Sequence, residues 1–205
     1  MKGKFITFEG CEGVGKSTQL RLLKEYLEQT GQDAVFTREP GGTPLAEKIR
    51  NIILTEDMDA ESEALLFAAA RCDHIDNLIL PALNEAKLVI CDRYIDSSIA
   101  YQGFARNLGY DKVAHYNAYP MATCMPDAVV FIDMNPLNSW RRQKGKVIEN
   151  DRMEKENDTF HLNVYKGFKE MEKIQNNYLS IVPDVDKTVT HEKILTALRN
   201  KGLIR

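Results

Sequence analysis

Gly10-Cys11-Glu12-Gly13-Val14-Gly15-Lys16-Ser17-Thr18 fits the pattern G-x-x-x-x-G-K-[ST] at every fixed position. Before it runs Phe5-Ile6-Thr7-Phe8-Glu9, an apolar stretch of strand type. After it, Gln19 to Leu27 places its leucines at helical spacing. Strand, glycine-rich loop and helix form the context in which this pattern cradles phosphate. Gly10, Gly13 and Gly15 allow the backbone to turn its N–H groups inward. The helix that starts there adds a positive dipole end. Lys16 is placed to reach a nucleotide's β- and γ-phosphates, and the Ser17 hydroxyl to ligate Mg²⁺. Cys11, Val14 and Thr18 complete the loop. Cys11 is expected to contribute its backbone rather than a catalytic thiol.

Outward from the loop, strand-like runs lie near 4–9, 33–37, 87–91 and 127–133, with a weaker fifth near 181–189. Helical patterns occupy 16–30, 44–54, 60–85, 95–105, 111–124, 136–144, 159–179 and 191–200. Alternation of this kind predicts a three-layer α/β/α fold, a five-stranded parallel sheet covered on both faces. The 205 residues suit one such domain, 1–205, with a sizeable core. Residues 141–158 are almost all charged or polar and include a glycine, the composition of an exposed lid.

Composition narrows the function classes. A net charge of −3 does not suggest nucleic-acid or anionic-membrane binding as the main task. No run approaches 18 apolar residues, and the N-terminus enters a strand by residue 5 without a signal-type apolar segment. Cys11, Cys72, Cys91 and Cys124 are scattered, which predicts reduced thiols in a cytoplasmic protein. His74, His115, His161 and His191 are dispersed, and none is assigned to catalysis.

Two further constellations follow the strands, where open α/β sheets bind ligands. Strand two runs into Thr37-Arg38-Glu39-Pro40-Gly41-Gly42-Thr43-Pro44, a strong turn that puts Arg38 at the functional edge. Strand three runs into Asp92-Arg93-Tyr94. Asp92 there can hold Mg²⁺ directly or through water, and Arg93 can take phosphate in a bidentate fork. Two arginines beside a phosphate loop point to a second anionic substrate, so to a kinase rather than a hydrolase. Phe67 and Arg71, one helical turn apart, can stack on a heterocycle and bond its carbonyl edge. Taken alone, Phe67 reads better as core, with Arg71 on its rim. Ser98 and Gln102 offer hydroxyl and amide groups. Glu12 is a carboxylate inside an anion-binding loop and needs a partner, such as a sugar hydroxyl.

Together these stretches resemble the thymidylate kinase family of nucleoside monophosphate kinases. The resemblance rests on Phe8 to Thr18, on Thr37-Arg38-Glu39-Pro40-Gly41-Gly42-Thr43, and on Phe67 to Arg71. It extends over Asp92-Arg93-Tyr94-Ile95-Asp96-Ser97-Ser98-Ile99-Ala100-Tyr101-Gln102-Gly103 and Asp151-Arg152-Met153-Glu154 with Phe160 downstream. It implies transfer of the γ-phosphoryl of ATP to dTMP with Mg²⁺, giving dTDP and ADP, by a homodimer. It implies Glu12 on the 3′-hydroxyl, Arg38 and Arg93 on the acceptor phosphate, Phe67 stacked on thymine and Arg71 on a pyrimidine carbonyl. Ser98 and Gln102 would line the base, and Tyr101 would sit where a ribose 2′-hydroxyl would go. Gly13, where some members carry Arg, implies the bacterial type whose transition-state charge comes from the lid. The basic residues there are Arg141, Arg142, Lys144, Lys146 and Arg152, of which Arg142 and Arg152 are the expected catalytic pair. A kinase for another monophosphate, or a nucleotide-dependent switch, would share the phosphate loop but not the full set.

Overall fold

The computed structural model describes residues 3–143 and 156–205, with the side chains of 140–143 left out of the description. Five strands form one parallel sheet: β1 (Lys4–Glu9), β2 (Ala34–Arg38), β3 (Leu88–Asp92), β4 (Ala128–Ile132) and β5 (Tyr178–Ile181). Their order is β2-β3-β1-β4-β5. β1, β3 and β4 lie inside the sheet and read as near-continuous apolar runs, because helices cover both faces. The pleat sorts them. Ile6, Phe8, Leu88 and Ile90 enter one core, and Phe5, Val89 and Cys91 enter the other.

Helices α1 (Lys16–Gln29), α2 (Pro44–Thr55) and α3 (Ala60–His74) follow β1 and β2. A π-helical turn at Ile75–Ile79 carries α3 on into α4 (Leu80–Asn84). Past β3, α5 (Ile95–Ser98) passes into a second π-helical turn at Ile99–Ala105. Then come α6 (Tyr110–Tyr116), α7 (Ala118–Thr123), α8 (Pro136–Gln143), α9 (Asp158–Ile174) and α10 (Lys187–Asn200). Local chemistry fixes the starts. Thr43, Asp59, Asn157 and Asp186 each cap a helix by accepting a backbone N–H, and Pro44 occupies the first turn of α2.

The expected sheet is present, with its fifth strand misplaced. β5 is Tyr178–Ile181, which overlaps the last two residues of the helix expected at 159–179 and only the first of the strand expected at 181–189; 182–189 is no strand. Pro183 cannot donate to a ladder, Val182 and Val185 are exposed, and Asp186 already caps α10. The helices expected at 60–85 and 95–105 each contain a π-turn. The one expected at 111–124 breaks at Asn117, whose side chain is drawn into the site described next.

Strand register brings the functional ends together. Arg38 stands opposite Asp92, and Asp92 opposite Phe8, so the three segments that follow these strands emerge at one edge.

Candidate active site

The phosphate loop leaves β1 through Gly10 (φ 143°) and enters α1 through Gly15 (φ 100°), conformations that L side chains rarely adopt. A Cβ at Gly10 would also meet the Ile132 carbonyl at 3.0 Å. Lys16 folds back over the loop, its Nζ donating to the Gly10 and Cys11 carbonyls at 3.2 and 3.4 Å. Burial and the nearby Arg93 lower its pKa, against the pull of Asp92 and Glu12. Cys11 is buried, and burial pushes its thiol up to about 12, the state of an inert side chain. Ser17 is exposed at the start of α1.

Beside the loop lies a cavity of about 310 Å³, lined by Glu12, Glu39, Pro40, Arg50, Leu54, Phe67, Arg71, Arg93, Tyr94, Ser97, Ser98, Tyr101 and Gln102. Six residues expected around the acceptor besides Glu12 meet there: Phe67, Arg71, Arg93, Ser98, Tyr101 and Gln102. Phe67 is half-buried and belongs to neither core cluster, so its ring faces the cavity and not the protein interior.

Arg93 takes a left-handed backbone conformation (φ 70°), unusual outside glycine and characteristic of functional sites. Its guanidinium joins loop to cavity. Nη1 donates to the Gly10 carbonyl and to Ser97 Oγ, both at 3.1 Å, and Nη2 donates to Glu12 Oε1 at 2.5 Å. It also lies over the Tyr101 ring, 5.0 Å from its centroid. Tyr101 Oη donates to Glu12 Oε1 at 3.0 Å. Burial alone would raise the Glu12 carboxyl, but Arg93 and Lys16 outweigh it and hold the group down at about 2. Glu12 is therefore ionised at every working pH.

Arg71 is fully buried. Nε donates to Glu39 Oε2 at 2.6 Å, Nη1 to Asn117 Oδ1 at 2.5 Å, and Nη2 to the Tyr94 carbonyl and Ser98 Oγ, both at 3.1 Å. Four of five N–H groups have these partners, which holds the fork rigid at the cavity wall. Glu39 Oε1 meets His74 Nδ1 at 3.0 Å, and His74 Nε2 meets Thr37 Oγ1 at 2.7 Å. Glu39, His74 and Cys91 bring metal-type atoms within 4.8 Å of one another. Both Glu39 oxygens and both imidazole nitrogens already have partners, so the group reads as a buried hydrogen-bond relay.

Gln102 is buried. Its Nε2 donates to Glu63 Oε1 at 2.8 Å, and its Oε1 has no partner. Asp92 Oδ1 is likewise buried without a partner. With the Ser17 hydroxyl, that oxygen fits a hard dication that keeps most of its water.

Arg38 is placed differently from the expectation. It is not among the residues that line the cavity, and its Nη2 pairs with Glu47 at 2.9 Å, both side chains about half exposed. Arg50, on α2, lines the cavity instead and donates to the Pro40 carbonyl at 3.0 Å. Nothing in the spacing of α2 singles out Arg50. Glu39, in contrast, stood in the quoted turn, where it was read only as part of the bend. Arg142, as a side chain, and Arg152 lie outside the described residues, as do Arg141, Lys144 and Lys146 and so most of the expected lid.

A family model described as thymidylate kinase matches residues 8–194. A protein of Finegoldia magna named thymidylate kinase is 45% identical over 195 residues, which cover 94% of each chain. One of Bacillus cereus with the same name is 40% identical over 208 residues, covering 99% of this chain and 100% of the relative. One of Shouchella clausii is 46% identical over 178 residues, covering 85% and 84%.

Proposed function

This chain belongs to the thymidylate kinase family, and we propose that it transfers the γ-phosphoryl of ATP to dTMP, releasing dTDP and ADP, at the cavity beside its phosphate loop. The observation that carries the base assignment is the Gln102 amide. With Nε2 given to Glu63, the buried and unpartnered Oε1 is the acceptor that Gln102, a cavity-lining residue, has left for a base. Thymine presents a donor at N3 and carbonyls on either side, and cytosine presents an acceptor at N3. Arg71, with one N–H left over, supplies the donor for a carbonyl, and Phe67 supplies the stacking face. A pocket that meets acceptor with acceptor rejects the wrong base strongly, because a buried polar atom stays unpaired.

Glu12 and Tyr101 account for the sugar. The ionised carboxylate accepts from a 3′-hydroxyl, and the Tyr101 ring fills the space beside it. Arg93 takes the acceptor phosphate, being already bonded to the donor loop at Gly10. Arg38 joins it by leaving Glu47. Exposed ion pairs contribute only about 0–1 kcal/mol, so that exchange costs little. The acceptor phosphate is anionic and needs no general base. Catalysis is then alignment of two phosphates and neutralisation of their charge. Lys16 leaves the loop carbonyls for the β- and γ-phosphates. Ser17 and Asp92 would hold Mg²⁺, which would supply positive charge to neutralise the donor phosphates. Arg142 and Arg152 add charge from the lid at 141–158 as it closes and excludes water.

The exposed Leu45, Ile52 and Leu65 of α2 and α3 support a homodimer. Four unpaired cysteines support a cytoplasmic setting, and no helix among the described residues is long and apolar enough to cross a membrane. A coupled ADP-release assay with Mg-ATP against dTMP, dUMP, dCMP, dGMP, AMP and no acceptor tests the reading. Turnover that requires dTMP, with dCMP roughly thirtyfold poorer or more, is expected from two mismatched groups, at Gln102 and Arg71, of about 1–3 kcal/mol each. Equal turnover of dTMP and dCMP overturns the base assignment. ATP hydrolysis indifferent to acceptor overturns the kinase.

A further inference from the structure

Glu63 is a buried acidic group with no exposed surface, one residue behind the cavity lining through Gln102. It lies on α3 and touches no part of the expected substrate. Among the described residues, Gln102 of the second π-helical turn and Arg106 just past it bond its oxygens. Oε1 accepts from Gln102 Nε2 at 2.8 Å and from Arg106 Nε at 3.3 Å, and Oε2 accepts from Arg106 Nη2 at 3.2 Å. Arg106 in turn donates through Nη1 to Glu156 Oε1 at 2.5 Å and stacks its guanidinium 4.7 Å from the Phe160 centroid.

A buried ion pair is weak evidence for stability, since an apolar pair of similar volume serves as well or better. What a guanidinium-paired carboxylate provides here, and an apolar residue does not, is a surface made of acceptors only. An amide facing it must turn its NH₂ group inward. The other end of that amide is then the oxygen, and in Gln102 that oxygen is the buried atom without a partner. Gln102 by itself is ambivalent, able to present donor or acceptor to a base after a half-turn of the amide.

We infer that Glu63, held by Arg106, is the specificity-determining positioning residue of the acceptor site: it fixes the Gln102 amide so that only a base with a donor at N3 is accepted. The inference rests on the base pocket proposed above. Glu63 acts through Gln102 and is not catalytic. Arg106 also ties this element to Glu156, the first described residue after 144–155, so the base reader and the entry to α9 share one guanidinium.

The test is Glu63→Gln, compared with wild type for kcat and KM toward dTMP and dCMP, KM for ATP, and thermal midpoint. The new amide keeps one acceptor oxygen and gains an NH₂ group, which can face the Gln102 oxygen, so Gln102 is free to invert. The expected result is a ten- to hundredfold fall in the dTMP-to-dCMP ratio of kcat/KM, carried by the KM for the monophosphate, with the KM for ATP unchanged. A folded Glu63→Gln with the wild-type ratio overturns the inference. Arg106→Lys keeps the charge and removes the fork that holds Glu63. If Glu63→Gln fails to fold, a several-fold fall in the ratio for Arg106→Lys supports the inference, and an unchanged ratio overturns it. Gln102→Ala separates the two levels of the argument. If it lowers the ratio and Glu63→Gln does not, the inference about Glu63 alone fails. If Gln102→Ala also leaves the ratio intact, the base assignment falls with it.

Discussion

Replacing Arg71 with alanine tests how far one side chain serves both the fold and the substrate. Its guanidinium and the Glu39 carboxylate are 2% and 3% exposed, and their Nε–Oε2 distance is 2.6 Å. Solvent does not screen this pair. Removing one member of a buried pair and leaving the other typically costs about 3–5 kcal/mol. Three further acceptors, on Asn117, Tyr94 and Ser98, lose their partner at the same time. Glu39 keeps His74, which places the expected loss toward the lower end of that range. For a chain of this size each kcal/mol moves the thermal midpoint by roughly 2–4 °C, so the single variant should melt about 6–15 °C lower. Substrate use should fall as well. A hydrogen bond from a charged donor is worth about 1.5–3 kcal/mol, which is roughly ten- to hundredfold in kcat/KM for dTMP. The KM for ATP should stay near wild type. The double variant Arg71→Met, Glu39→Gln removes both charges and keeps the volume. It should recover stability to within about 1–2 kcal/mol of wild type while recovering none of the dTMP use. Urea unfolding and steady-state kinetics on the three proteins read both quantities. A double variant as unstable as the single one would refute the claim that the stranded Glu39 charge causes the loss. A double variant that regained dTMP turnover would refute the place of Arg71 at the base.

Two other outcomes follow from the site. Lys16→Ala should lower kcat by about 10²–10³-fold, the range for removing one donor that stabilises developing charge. Its thermal midpoint should not fall, because Lys16 sits against two loop carbonyls and its burial disfavours the charged form. Near-normal turnover would remove the phosphate-loop assignment. The second outcome concerns Glu9. Burial and the neighbouring Asp96 push its carboxyl from the usual 4.5 up to about 8, against the bonds from Ser97 and Tyr94 and the charge of Arg93. An acid raised on folding contributes stability in full below its unfolded pKa and loses it as pH rises through the folded value. Urea midpoints should therefore decline between about pH 5 and 8 in wild type, and the slope should flatten in Glu9→Gln. Glu12 titrates near 2, outside this window. Parallel pH profiles for the two proteins would show that Glu9 ionises normally.

The phosphate loop was legible because it is local. Loop, lysine, hydroxyl and helix start lie within nine consecutive residues, and their chemistry follows from backbone geometry alone. The acceptor half was legible as residue types but not as side-chain paths. Arg38 and Arg93 both end strands, yet Arg38 pairs outward with Glu47 while Arg93 turns to the loop. Arg50 lines the cavity from a helix whose pattern gives no sign of it. Phe67 read better as core than as pocket, and its place in the cavity lining, outside both apolar clusters, decides the matter. Glu63 and Gln102 are 39 positions apart, so no spacing rule could pair them. The fifth strand was misread because Val182 and Val185 supply apolar residues to a segment that Pro183 and the Asp186 cap exclude from the ladder.

The π-turn at Ile99–Ala105 has a consequence for how such a site can diversify. Its i to i+5 closure, seen in the bond from the Arg106 N–H to the Tyr101 carbonyl at 2.8 Å, holds one residue more than an α-turn. A lineage that lost a single codon there would restore ordinary helix and turn the end of this helix, with Arg106, by about 100° relative to the residues before it. Arg93 and Ser98 would keep their places, while Arg106 would be carried off Glu63. Substrate preference in this fold can thus drift through a one-residue deletion, with every pocket-lining amino acid conserved in kind, and an alignment gap at this turn would record the event.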